Sequence, residues 1–269
     1  MTEERWTAVD RYLSDLLVSS DAALQAALEA SADAGLPAVN VAPNQGKLLH
    51  LLVLACGAQT VLEIGMLGGY STIWLARGLP ASGHLVSLEA DPRHVEVARR
   101  NIERAQLSDV VEIMVGPAAE SLPKLKAQHR PPFDLVFIDA DKPSTAEYFA
   151  WSLELSHVGS LIIVDNVVRS GQVSETGIDD PNVEACDASW TRWPQSLESA
   201  QRRFRPWASR DTTDSCSPWS PPRPRSQPES RHESALHRPC LWLVGRTVHG
   251  DARLRTAGRP PADDVPVIA

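Results

Sequence analysis

From residue 60 to residue 166 the chain repeats one rhythm: a short apolar run, a turn, then a longer stretch with apolar residues every three or four positions. Apolar runs of four to eight residues suit buried strands, and the longer period suits amphipathic helices. The pattern predicts strands at 61–64, 84–88, 110–115, 133–138 and 160–164, with helices at 71–78, 92–105, 117–128 and 144–156. Asp91-Pro92 reads as a helix start, since proline is favoured in the first turn. Strands that are apolar on both faces and alternate with helices imply a mostly parallel sheet covered on both sides, the doubly wound α/β class.

The residues before this region are helical. Trp6, Val9, Tyr12, Leu13, Leu16 and Leu17 recur at helical spacing, and Ser20-Asp21 caps a second helix, 22–34, which Gly35 and Pro37 end. After the loop 39–44, Leu48, Leu49, Leu51, Leu52 and Leu54 mark a third helix, 45–56, whose leucine row is expected to pack in the core.

The stretch Thr60–Ser71, TVLEIGMLGGYS, joins the first strand to its helix through Gly65, Gly68 and Gly69. Strand, glycine turn and helix together present backbone to a ligand in this fold class. The spacing is E-x-G-x-x-x-G, not the G-x-G-x-x-G of a dinucleotide site. An acidic residue at the strand end suits a cationic ligand better than a pyrophosphate. A nicotinamide-dependent oxidoreductase on a similar sheet would need the missing glycine pattern.

Glu63, Glu89, Asp139 and Asp165 occupy the carboxyl ends of predicted strands. Four such groups on one edge would repel one another without a cation to gather round. Glu89 stands where nucleotide-binding α/β folds grip a ribose hydroxyl pair. Asp139, Asp165 and Asn166 offer only oxygen atoms, a donor set for Mg²⁺ or Ca²⁺. Lys142, three residues past Asp139, is a candidate base if a nearby cation lowers its pKa.

The chain has 269 residues, 43% of them hydrophobic, enough to bury one large α/β core or two small ones. Its formal net charge of -8 points away from nucleic acid and anionic membrane surfaces. The start, MTEERWTAVD, has no apolar segment like a signal peptide's, and no run approaches the ~20 apolar residues of a membrane span. None of the four cysteines, Cys56, Cys186, Cys216 and Cys240, forms C-x-x-C, so neither a zinc site nor a disulfide framework is indicated. A cytoplasmic protein is the expectation.

The motifs VLEIGMLGGYSTIWLA, LVSLEAD, VGPAAESLP, FDLVFIDADK and GSLIIVDNVVRSG resemble those of the cation-dependent class I O-methyltransferases, the group of catechol and caffeoyl-coenzyme-A O-methyltransferases and their bacterial relatives. The similarity runs from the loop before Gln45 to about Pro181. It implies a Rossmann-like methyltransferase sheet, S-adenosylmethionine as methyl donor and a divalent cation, usually Mg²⁺. Carried over by position, Val41, Glu63, Gly65, Met66, Ser71, Glu89, Ala118 and Asp139 would line the cofactor pocket. Glu89 would hold the ribose, and the backbone around Ala118 would meet the adenine. Met66 departs from the small or hydroxyl residue expected there, a change that a backbone contact would survive. Asp139, Asp165 and Asn166 would bind the metal, with Lys142 and Asp139 the catalytic candidates. The acceptor implied is a small hydroxylated molecule with vicinal oxygens, catechol-like. A homodimer through the N-terminal helices is a family expectation. The organisation expected is helices over 1–58, an S-adenosylmethionine-binding core over 59–181 and an aberrant tail over 182–269.

Residues 183–269 contain no lysine but thirteen arginines, five of the eight tryptophans and eleven of the 21 prolines, a mixture unlike the preceding core. A disordered, low-complexity tail is one reading, although such tails are poor in aromatics. A shift of reading frame is the other. Taking the third base of each codon with the first two of the next, with free bases chosen to suit the family, allows G-V-R-R-F-V-D-A-V-A-A-E-P-R from Glu184 onward. Near Trp207–Trp219 the same procedure allows G-x-K-G-Y-D-G-F-V-L-A-V, and both resemble the family's C-terminal part. The family's last two strands are antiparallel and close the sheet beside the fifth. Their loss would leave 160–164 a bare apolar edge, with Cys240-Leu241-Trp242-Leu243-Val244 at most one stray strand. An inactive or unstable remnant that still binds the cofactor is the alternative function.

Overall fold

The structure is a computed structural model and describes residues 3–19, 21–167, 169, 172, 180, 182 and 242–244. Expectations for Ser20, for the cysteines beyond Cys56 and for the rest of the tail lie outside the described residues.

Three helices precede the sheet: α1 (Glu3–Leu17), α2 (Ala22–Asp33) and α3 (Pro43–Cys56). Asp21 caps α2, its carboxylate accepting from the N–H groups of Ala23 and Leu24 at 2.9 Å. Pro43 opens α3 two residues earlier than expected, using a position where its missing N–H costs nothing. The leucine row of α3 is not all core. At 100° per residue, Gly46, Leu49 and Val53 share the buried side, while Leu48, Leu51 and Leu54 turn the other way and are 45–53% exposed. Five leucines within seven positions cannot fit on one face of a helix.

Strands and helices then alternate: β1 (Thr60–Ile64), α4 (Tyr70–Ala76), β2 (His84–Glu89), α5 (Pro92–Arg104), β3 (Val111–Val115), α6 (Ala118–Ala127), β4 (Phe133–Ile138), a 3-10 turn at Lys142–Ser144, α7 (Thr145–Glu154) and β5 (Ser156–Val164). With β6 (Trp242–Val244) they form a sheet of order β3-β2-β1-β4-β5-β6, every adjacent pair parallel. Period-two alternation sends successive side chains to opposite faces. Leu62, Ile64, Val86, Leu88, Val136, Ile138, Ile162 and Val164 pack with Leu122 and Leu125 of α6 and Phe149 and Leu153 of α7. Val61, Leu85, Leu135, Phe137, Leu161 and Ile163 pack on the other face with Leu24, Leu49, Val53, Ile73 and Leu75. The helices before the sheet thus complete its second layer.

The far side of the sheet also differs from the sequence expectation. β5 begins at Ser156, four residues early, because Gly159, at φ 102, lets the edge bulge between the Phe133–Ser156 and Leu135–Leu161 pairs. The far edge of the sheet is not bare either. Trp242, Leu243 and Val244 pair in parallel with Ile162, Ile163 and Val164, an apolar segment of the tail covering apolar strand backbone. The strand beside β5 among the described residues is therefore parallel, not antiparallel as the family resemblance implied. No described helix is long and apolar enough to cross a membrane.

Candidate active site

The strand order reverses between β1 and β4, and a cleft opens outside their carboxyl ends, where open α/β sheets bind ligands. Its volume is about 490 Å³. The backbone ladder sets its floor: Gly65 N–H donates to the Leu88 carbonyl, Asp139 N–H to Ile64 and Asp165 N–H to Ile138, all at 2.9–3.0 Å. Asp139 and Asp165 are thereby fixed one residue beyond adjacent strands.

The glycine turn is shaped for close approach. Gly65 has φ 92, and a Cβ there would run into the main-chain carbonyl of Asp139. Glu89, at the end of β2, straps this turn down. Its Oε2 accepts from Met66 N–H at 3.2 Å and Leu67 N–H at 2.9 Å, while Oε1 accepts from Asp91 N–H at 3.0 Å. Three of the carboxylate's roughly four acceptor sites are so occupied, and the fourth can serve the His94 ring beside it or a ligand hydroxyl. The Met66 side chain packs against Ala98 and Ile102, so the residue contributes to the turn through its backbone. Of the residues that the family resemblance assigns to a cofactor pocket, Val41, Gly65, Met66, Ser71, Glu89, Ala118 and Asp139 line this cleft.

Glu63 does not line it. Strand parity points this side chain under α4, where it is wholly buried. Its carboxylate accepts hydrogen bonds from the hydroxyls of Ser71 (2.6 Å), Thr72 (2.5 Å) and Ser87 (2.6 Å). Burial raises its pKa to about 7, against the three hydroxyls that pull it down and with the Asp139 charge pushing it up further. Glu63 therefore acts through Ser71. With its proton committed to Glu63, the Ser71 oxygen presents acceptor lone pairs to the cleft, suited to an ammonium group.

The carboxylates after β4 and β5 have different surroundings. Asp139 lines the cleft and accepts from Lys142 Nζ at 2.7 Å. Asp165 is 4% exposed and sits behind the cleft wall, accepting from Gln45 Nε2 at 2.7 Å and Asn166 N–H at 2.6 Å. Burial, and next the charge of Asp139, holds its pKa above the ordinary range. Asn166, at φ 59, adopts the left-handed conformation that asparagine tolerates and lines the cleft. Among the described residues no three His, Cys, Asp or Glu side chains gather as a metal cluster. The set here is instead two carboxylates and an amide, oxygen donors that fit a hard divalent cation. The mutual charge of Asp139 and Asp165 is the kind of strain that such a cation relieves.

Among the further lining residues with polar groups that the sequence reading passed over are His94, Asp141, Tyr148 and Arg169. His94 Nδ1 stands 3.4 Å from Glu89 Oε1, a contact set by its place in the first turn of α5. Tyr148 donates its hydroxyl to Asp141 at 2.5 Å, and burial together with that bond pushes its pKa up to about 12. The hints were positional. Asp141 caps the turn that carries Lys142, and Tyr148 lies in the first turn of the next helix.

The model of the O-methyltransferase family matches residues 16–200. The catechol O-methyltransferase of Niastella koreensis is 50% identical over 184 residues, 68% of this chain and 83% of that protein. That of Mycobacterium tuberculosis is 50% identical over 177 residues, 66% of this chain and 79% of its own. Among solved structures, the O-methyltransferase from Bacillus cereus in complex with S-adenosylhomocysteine (SAH) superposes with a TM-score of 0.69 at 50% identity, covering 70% of this chain and 86% of that one. TomG from Streptomyces achromogenes, in complex with S-adenosylmethionine (SAM), gives 0.70 at 43% identity, with 72% and 87% covered. The family match spans more than half of the chain, the relatives are 50% identical and the sheet superposes on solved members, so the chain belongs to the O-methyltransferase family, enzymes that take their methyl group from S-adenosylmethionine.

Proposed function

We propose that the chain methylates a hydroxyl of a small catechol-like acceptor and that a divalent cation, Mg²⁺ in the first instance, assists. The observation that carries this reading is the convergence of Asp139 and Lys142 after β4 with Asp165 and Asn166 after β5, beside the glycine turn. The names of the Niastella and Mycobacterium relatives support the acceptor class.

S-adenosylmethionine supplies the methyl group. Ser71 would accept from its amino group, Glu89 would accept from a ribose hydroxyl with its remaining lone pair, and the backbone at Ala118 would meet the base. Asp139, Asp165 and Asn166 would hold the cation, which when bound lends positive charge to two adjacent acceptor oxygens and favours the ionised form of one. Lys142 is the only lysine among the described residues that line the cleft, and its Nζ would take the acceptor's proton. Position and orientation of the two reactants are the chain's main contribution to rate. The exposed Tyr12, Leu16 and Leu17 on α1 and Leu48, Leu51 and Leu54 on α3 support a second copy of the chain as partner, which light scattering at micromolar concentration tests.

The test of the reaction is turnover of purified chain with S-adenosylmethionine and catechol, with Mg²⁺ or with chelator. Monomethylated product that requires Mg²⁺ supports the reading. Product formed equally in chelator removes the cation from it. A second reading, a remnant that binds S-adenosylmethionine without turnover, is favoured by the family match ending at residue 200 and by the change of composition after 182. Calorimetric binding of S-adenosylmethionine with no methyl transfer would support it.

A further inference from the structure

Arg169 stands three residues past Asn166 and lines the same cleft as Asp139, Lys142 and Tyr148. Its Nε is buried and has no hydrogen-bond partner among the described residues. Among the described residues, the carboxylates after β4 and β5 have other partners: Asp139 accepts from Lys142, Asp141 from Tyr148 and the Ser144 N–H, and Asp165 from Gln45 and the Asn166 N–H. A buried guanidinium N–H left without an acceptor is costly, so a ligand that brings one gains what the empty protein lacks. The guanidinium is a planar fork whose natural partner is a carboxylate, bound through parallel N–H donors.

We propose that Arg169 selects acceptors carrying a carboxylate on the ring in addition to two adjacent hydroxyls. The preferred substrate class is then catechol carboxylic acids, not neutral catechols. The inference rests on the catechol-like reading above and deepens it.

The test compares 3,4-dihydroxybenzoate with its methyl ester, which keeps the two hydroxyls and loses the charge. With Mg²⁺ and saturating S-adenosylmethionine, the full chain should favour the acid in kcat/KM by about 10- to 100-fold, the worth of one hydrogen bond to a charged group. Arg169→Leu should bring that ratio close to one, mainly through KM for the acid. Arg169→Lys, which keeps the charge without the fork, should retain part of it. A ratio that is the same in wild type and Arg169→Leu overturns the proposal, as does a wild type that favours the ester. So does an effect confined to KM for S-adenosylmethionine, which would assign Arg169 to the donor. If no acceptor is turned over, the catechol reading fails on its own, and calorimetry decides for Arg169. Tighter binding of the acid than the ester by wild type, lost in Arg169→Leu, supports the proposal, and equal binding overturns it.

Discussion

Lys142 Nζ lies 2.7 Å from Oδ1 of Asp139, across a three-residue step that begins at the end of β4. The lysine and aspartate side chains are 15% and 19% exposed, so the pair is partly shielded from water. A cation bound by Asp139 would compete with the lysine for that same oxygen and free the Lys142 side chain to meet the acceptor.

The first prediction separates catalysis from charge balance. Lys142→Met should lower kcat by about 10²–10⁴, the usual worth of a positioned general base. S-adenosylmethionine affinity, read by calorimetry, should change little. Lys142→Arg should fail to rescue turnover, because a guanidinium does not give up its proton at any working pH. Rescue by arginine would mean that the position needs only positive charge.

Gln45 leads to the second prediction. Its Nε2 donates to Asp165 Oδ2 at 2.7 Å, orienting a carboxylate that also accepts from the Asn166 N–H. Partners of this kind set metal affinity from behind the ligands. Gln45→Leu should weaken Mg²⁺ by about 10- to 100-fold in a titration of activity against free Mg²⁺. Chelation should abolish turnover in wild type, and added Mg²⁺ should restore it. Because burial and the Asp139 charge raise the Asp165 pKa, protons should compete with the metal already above the ordinary carboxylate range. An unchanged Mg²⁺ requirement in Gln45→Leu would remove this supporting role.

Much of this was legible in the chain. Asp139, Asp165 and Glu89 are placed by strand length alone, since each stands at the end of an apolar run that the sequence marks clearly. Glu63 was not, because the same run ends one residue later, at Ile64, and parity turns its side chain away from the cleft. Leu48, Leu51 and Leu54 misled because composition cannot distinguish the two sides of a helix that is apolar all round. Tyr148 and Arg169 were missed for a different reason. Tyr148 reaches the cleft through the packing of α7 and Arg169 from three residues past Asn166, and neither has a spacing signature in sequence.

Gly65 makes the third prediction. Its φ of 92 is a conformation that other residues rarely adopt, and a methyl group would strike the Asp139 carbonyl. Gly65→Ala should destabilise the fold by about 1–3 kcal/mol, read by urea denaturation. It should also reduce S-adenosylmethionine affinity, because the turn and the Asp139 backbone have to separate. Gly35, also at positive φ but with open space around its Cα, is the control. Gly35→Ala should cost backbone strain alone and leave cofactor affinity intact. Equal losses of affinity in both variants would sink the argument from close approach.

The last prediction concerns Glu63, whose pKa rises from 4.5 to about 7 on folding. Below about pH 4.5 the group is protonated in folded and unfolded chains alike, and it places no pH-dependent cost on folding. Between these values the unfolded chain ionises while the folded chain keeps its proton. The folded state then binds more protons, and stability falls as pH rises. About one unit above pH 7 both forms are ionised and the cost is complete, on the order of 3 kcal/mol for a wholly buried carboxylate. Glu63→Gln keeps a polar group against Ser71, Thr72 and Ser87 but removes the titration. Its stability relative to wild type, from urea midpoints at constant m-value, should therefore rise steadily from pH 5 to pH 8. Wild-type and variant curves that run parallel over this range would show that the three hydroxyls hold Glu63 ionised throughout.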